Sequence, residues 1–165
     1  GGASVVIGPG CLMYSLVLNY DHHPQLRSIG TAHRYALDPL QRALRPLTSD
    51  VHRAGISDLT CDGRKFSGNS LKCTSKCLLY HGTVLYDFSL DWIAALLRTP
   101  PRQPAYRQAR DHAQFVTNFP ATEKELRSAL QRAWGVDQTL TDWPRQTTQR
   151  LLLDRYGCHD WNHRH

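Results

Sequence analysis

DLTCDGRKFSGNSLKCTSKCLLYHGTVL, residues 58–85, decides how this chain folds, because it packs three strand-like runs and two turns into 28 positions. Residues 59–61, 65–73 and 77–85 read as consecutive strands, so a sheet with antiparallel neighbours is expected. Lys65 stands between a turn and the small pair Ser67-Gly68. A lysine held there can meet an activated acyl group together with its phosphate, which makes this stretch the expected seat of the chemistry.

Working outward, residues 4–7 and 12–18 are two β-rich runs around Gly8-Pro9-Gly10, and a hairpin is the simplest reading. The abrupt Gly1-Gly2 start, with no initiating Met, leads us to expect an N-terminally truncated domain. Residues 31–44 place Leu37, Leu40 and Leu44 on one helical face, with Pro39 either kinking the helix or starting a second one after Asp38. Residues 47–55 read as a loop. Residues 90–97 read as a short apolar helix closed by Thr99-Pro100-Pro101, followed by the loop RTPPRQPAYR. Residues 123–134 carry the clearest helix, opened by a Thr122/Glu125 capping box. A last helix over 148–156 is expected to stop at Gly157 in a left-handed conformation. Too little chain follows the Pro-rich loop for a second core, so residues 1–165 are read as one domain.

Composition narrows the class. At 165 residues, 41% hydrophobic and 21% charged, the chain is long enough and apolar enough for a real core. Twenty Lys+Arg against fourteen Asp+Glu leave +6, which favours an anionic partner without choosing one. Five cysteines, an odd and sparse set, fit a reducing cytoplasm. No run approaches the roughly 20 apolar residues that a membrane-crossing helix needs, so no membrane partner is expected.

GRKFSGNS followed by HGTVLYDFSL resembles the lipoate-protein ligase A family, and GGASVVIGPGCLMYSLVL looks like the tail of that family's RRxSGGG motif with its adjoining hairpin. RTPPRQPAYRQARDHAQFVTNF and RYGCHDWNHR extend the likeness over nearly the whole chain. Ala3 stands where the motif has its third glycine, and residues 71–76 lack the family's polar, Arg-containing stretch. The resemblance implies an α/β (α+β) fold with a mixed, largely antiparallel sheet flanked by helices, shared with biotin-protein ligases and class II aminoacyl-tRNA synthetases. It implies an enzyme that uses ATP, Mg2+ and lipoate to form lipoyl-adenylate. The lipoyl group then passes to a lysine on lipoyl domains of 2-oxoacid dehydrogenase complexes or on the glycine-cleavage carrier protein. Lys65 falls on the catalytic lysine that contacts acyl carbonyl and phosphate, a task suited to a positioned ammonium. Gly1 and Gly2 fall where backbone approaches the ligand, and Ser4, Val5, Val6 and Ile7 where the nucleotide is lined. Asp58 falls on an acidic position near the phosphates and their magnesium. Ser67, Gly68, His81, Gly82 and Thr83 complete the expected binding set, the last three near the acyl end.

Other features are read structurally. Cys73, Cys77 and His81 are spaced four apart but lie on a hairpin without a convincing fourth ligand, so no protein-held metal is assigned. Cys61 is read as a buried thiol rather than the thioester nucleophile of related octanoyltransferases. Arg98, Arg102, Arg107 and Arg110 are read as a solvated face, with reception of an acidic lipoyl domain as the alternative. An ATP-independent octanoyl or lipoyl transferase drawing on acyl carrier protein stands as the alternative function, with a non-catalytic paralogue that docks lipoyl domains as a third. Tyr106 is the only aromatic in the basic loop, too little stacking surface for a nucleic-acid partner. A monomer is expected.

Overall fold

A computed structural model describes residues 4–164. Five strands, β1 (Cys11–Asn19), β2 (Val51–Ala54), β3 (Asp58–Cys61), β4 (Arg64–Cys73) and β5 (Cys77–Leu85), form one sheet in the order β1-β5-β4-β3-β2. Every neighbouring pair is antiparallel. The mixed character comes from one parallel bridge, Lys65 to Val116, where the Thr117 N–H donates to the Lys65 carbonyl at 2.9 Å.

Local chemistry explains the three central strands. Asp62 (φ 49°) and Gly63 (φ 66°) both take the left-handed region, the two-residue turn whose twist matches antiparallel strands. At the far end of β4, Thr74 Oγ1 accepts the N–H of Lys76 and of Cys77, and the Thr74 N–H donates to the Cys77 carbonyl at 2.9 Å. These bonds close the β4–β5 hairpin at the position expected from sequence.

Helices α1 (Ile29–Leu44), α2 (Asp91–Leu96), α3 (His112–Phe115) and α4 (Glu123–Trp134) follow the strands in the chain or lie between them. Pro39 stays inside a single α1, because fully buried Leu37, Leu40 and Leu44 hold both halves against the sheet. α4 begins at the expected capping box: Glu125 N–H donates to Thr122 Oγ1, and Thr122 N–H donates to Glu125 Oε2 at 2.8 Å. Gly135 (φ 62°) ends it. Leu126, Ala129 and Leu130 of α4 and the α1 leucines join Leu59, Phe66, Tyr80 and Val84 in the main core, which covers one face of the sheet. On the other face a smaller cluster gathers Leu85, Phe88, Ile93, Phe115 and Val116, with Val6 and Tyr106 packed against it.

Three expectations are corrected. Residues 4–7 form no strand; the Cys11 N–H closes a turn onto the Gly8 carbonyl, and β1 pairs instead with β5, from Cys11–Leu85 to Asn19–Cys77. Gly10 (φ 81°) makes that possible, because a Cβ there would lie 2.0 Å from the Asp87 carbonyl oxygen. Within 47–55, residues Val51–Ala54 become β2: buried Val51 pairs with Cys61, a partner ten residues away that a local reading does not see. The C-terminal helix starts earlier, as α5 (Arg145–Leu151), and passes into a π-helical turn over Leu152–Tyr156. Gly157 has φ −93°, so it is not the left-handed stop; a short α6 (His159–Asn162) follows. No residue of α5 or α6 is buried. Among the described residues no helix is long and apolar enough to cross a membrane.

One buried titratable pair ties α1 to the sheet: His33 Nδ1 lies 3.0 Å from the Tyr80 hydroxyl, and both side chains are buried. Burial first, and the Arg53 charge second, lower the His33 pKa from its ordinary value. The unfolded chain therefore binds a proton more readily there, so this contribution to stability is present above the unfolded pKa of about 6.5 and fades as pH falls through it. Urea unfolding at pH 7.5 and 5.5 is expected to show lower stability at the acid value, with a smaller pH dependence in His33→Gln.

Candidate active site

Two strands and one glycine create the site. On β3 and β4, Thr60 pairs with Lys65 and Leu59 with Ser67, so a bulge leaves Phe66 as an extra residue. Phe66 turns into the main core, packing on Phe119 with ring centroids 4.7 Å apart. Lys65 then lies back across Gly68: a Cβ built on Gly68 would sit 3.0 Å from both Cε and Nζ of Lys65. Its ammonium reaches Asp58 Oδ1 at 2.7 Å, with side-chain exposures of 29% for Lys65 and 13% for Asp58. Such a half-shielded ion pair is stronger than a surface pair, yet the ammonium keeps access to solvent.

The second carboxylate oxygen of Asp58 is also engaged. Tyr106, from a short turn at Ala105–Arg107, donates its hydroxyl to Asp58 Oδ2 at 2.7 Å. Burial, and then the Asp58 hydrogen bond, push the Tyr106 pKa up, so the phenol remains a donor at neutral pH. Tyr106 escaped the sequence reading because only the fold carries the Pro-rich loop to Asp58, 48 residues upstream. Gly55 was a faint signal: it has φ 56°, and a Cβ on it would come within 3.2 Å of the Tyr106 ring.

The expected binding residues divide between the two faces. Strand alternation puts Asp58, Lys65, Gly68 and Thr83 on the less covered face, where Gly68 pairs with Thr83 and Ser70 with exposed His81. Ser67 and Gly82 turn the other way. Ser67 is 1% exposed and its Oγ accepts from Asn69 Nδ2 at 3.1 Å. Gly82 leaves room for that same Asn69: an added Cβ would meet Asn69 Oδ1 at 1.7 Å. Asn69 in turn accepts from the Tyr14 hydroxyl and donates to the Ser57 carbonyl at 2.7 Å, beside Asp58. Ser67 Oγ and the open side of Gly82 therefore face a part-buried network behind the Lys65 face. Ser4, Val5 and Ile7 are exposed in an extended segment, while Val6 packs into the cluster that holds Tyr106, at the Lys65 end of the sheet. Gly1 and Gly2 lie outside the described residues.

Two of the four loop arginines are structural rather than solvated. Arg107 is 3% exposed, stacks over Phe115 at 4.6 Å and donates from Nε to the Arg110 carbonyl. Arg110 donates to the carbonyls of Tyr106 and Gly63, both at 3.0 Å. Cys61 is 4% exposed inside the core, and burial followed by the Asp62 charge raises its thiol pKa, as expected of a structural thiol.

The family model described as lipoyl protein ligase A/B catalytic domain matches residues 1–141. The chain belongs to that family. Among curated relatives, lipoate-protein ligase LplJ of Bacillus subtilis is 27% identical over 142 residues, covering 76% of this chain and 42% of the relative. Octanoyltransferase LipM of Symbiobacterium thermophilum is 32% identical over 130 residues, covering 71% of this chain and 47% of the relative. The chain thus spans less than half the length of either protein. Among solved structures, the bi-partite lipoate protein ligase of Thermoplasma acidophilum, studied with its E2 lipoyl domain, superposes with TM-score 0.78 at 21% identity, covering 98% of this chain and 67% of that one. A lipoate-protein ligase A bound with ATP gives TM-score 0.69 at 22% identity, covering 93% and 65%. The fold expected from the motifs is the fold found.

Gly68→Ala tests the geometry of this site without any substrate. The new methyl displaces only the flexible end of Lys65, so the melting temperature is expected to stay within about 4 °C of wild type. Lys65, pushed off Asp58, should react faster with acetic anhydride, read by peptide mass spectrometry; an unchanged rate would contradict the packing of Lys65 over Gly68.

Proposed function

We propose that this domain is the catalytic unit, over residues 1–165, of an ATP-dependent lipoate-protein ligase. The observation that carries the reading is the Lys65 ammonium, held over Gly68 by Asp58 at 2.7 Å and still reachable from solvent. In the first step a lipoate carboxylate oxygen attacks the α-phosphorus of ATP, the bond to the β-phosphate oxygen breaks, and pyrophosphate leaves. In the second step an acceptor lysine amine attacks the acyl carbonyl, AMP departs, and the amine loses a proton. Both steps build negative charge on oxygens that one ammonium can face, and a positioned cation there stabilises the transition state more than the ground state.

Substrate magnesium fits this picture as a passenger of ATP. Asp58 is tied through its two oxygens to Lys65 and Tyr106, and the described residues contain no cluster of three His, Cys, Asp or Glu that could hold an ion without ATP. Phosphate oxygens and water would supply its ligands. The acceptor lysine would approach from the Lys65 face of the sheet, on a lipoyl domain of a 2-oxoacid dehydrogenase complex or the glycine-cleavage carrier protein, in the cytoplasm.

Transfer of octanoate from acyl carrier protein is the second reading, favoured by the 32% identity to an octanoyltransferase. Against it, Cys61, the cysteine nearest Lys65 in sequence, is buried with a raised pKa and poorly suited to carry a thioester. Incubation with lipoate, ATP and Mg2+ is expected to release pyrophosphate, and Lys65→Ala to slow that release by about a hundredfold or more while leaving the melting temperature unchanged. Acyl transfer from acyl carrier protein without ATP, and no pyrophosphate, would favour the transferase; Lys65→Ala at the wild-type rate would remove Lys65 from the chemistry.

A further inference from the structure

The Pro-rich loop does more than cover the sheet. Its one aromatic side chain, Tyr106, reaches across to the carboxylate that holds the reactive ammonium, and its position is fixed from three directions. The ring packs on Phe115 with centroids 5.3 Å apart. It rests against Gly55, where any Cβ would crowd it at 3.2 Å. The Tyr106 carbonyl accepts from Arg110, whose same nitrogen donates to Gly63 in the β3–β4 turn two residues before Lys65. The loop is therefore pinned to the hairpin that presents Lys65, and the phenol cannot drift from Asp58 without breaking that attachment.

We infer that Tyr106 is a positioning residue for Lys65, acting through Asp58: its hydroxyl bonds Oδ2 and fixes the orientation of the carboxylate, so that Oδ1 is held toward Lys65. This inference rests on the ligase reading of the site. A carboxylate held by a hydrogen bond on Oδ2 rotates less readily to follow a moving ammonium, or to swing outward toward a substrate-bound cation. Lys65 thus has one anchor, at 2.7 Å, in the space that Gly68 leaves free. Without the phenol, Asp58 gains a second free acceptor and the ammonium a second resting place. Loss of such support leaves the reactive group present but loosely aimed. The penalty should fall on the chemical step, because no substrate contact is removed.

A double-mutant cycle tests this. Tyr106→Phe keeps the ring and its contact with Phe115 and deletes only the hydroxyl. In the protein assayed with lipoate, ATP and Mg2+, Tyr106→Phe is expected to lower kcat for pyrophosphate release about tenfold, with KM for ATP changed by less than about twofold. In an Asp58→Asn background the same change should cost less than about twofold. Equal loss in both backgrounds, or no loss in either, would overturn the inference. Acetylation of Lys65 by acetic anhydride, followed by mass spectrometry in the same four forms, gives a readout independent of turnover. Tyr106→Phe should alter that rate when Asp58 is present and leave it unaltered when Asn replaces it. If wild type releases no pyrophosphate, or Lys65→Ala matches it, the ligase reading fails; the acetylation cycle still decides whether Tyr106 acts on Lys65 through Asp58.

Discussion

An ammonium and a carboxylate 2.7 Å apart, on the two strands joined by the Asp62-Gly63 turn, organise the more open face of this sheet. Lys65 reaches Asp58 only because Gly68 has no side chain and because the β3–β4 bulge sends Phe66 into the core. Each condition depends on the others. A side chain at residue 68 would displace the lysine, and a regular ladder would change which side chains of β4 face the core. Burial of Phe66 against Phe119 thus secures the register on which the ion pair depends, and links core packing directly to the Lys65–Asp58 pair.

The sheet separates two tasks by its pleat. One face is sealed by α1 and α4 and carries the main core, beside which Tyr14, Asn69, Ser67 and the backbone of Ser57 form a part-buried polar network. Buried polar groups are tolerable when each finds a partner, and here the partners join β1, β4 and the turn leading into β3. The other face stays more open and holds the charge. Gly68 and Gly82 serve opposite sides of this arrangement, one giving way to Lys65 and the other to Asn69. Glycines that look alike in a motif answer to different neighbours.

Much of this was legible along the chain. The strand runs around Lys65, the α1 leucines and the Thr122/Glu125 cap are short-range patterns, and short-range physics decides them. The motif around Lys65 also carried the family resemblance, which the family match over residues 1–141 bears out. What escaped was decided by distant partners. Val51–Ala54 became a strand by pairing with β3, and residues 4–7 lost theirs because β1 found β5. Arg107, by composition a solvated charge, is buried on Phe115.

By itself, the sequence determined the family and most of the elements that bear its motif: a lysine before a Ser-Gly step, an acidic residue on the preceding strand, a turn between. Residue types and periodicity suffice for that, since both act over a few positions. Only the tertiary structure decided which face each residue serves and what stands opposite it. Strand alternation sorted Gly68 and Thr83 from Ser67 and Gly82, and chain packing carried Tyr106 across 48 residues to Asp58. Distance in space, rather than order in the chain, sets the strength of a hydrogen bond or an ion pair, so the surroundings of Lys65 could be read only once the sheet had closed around it.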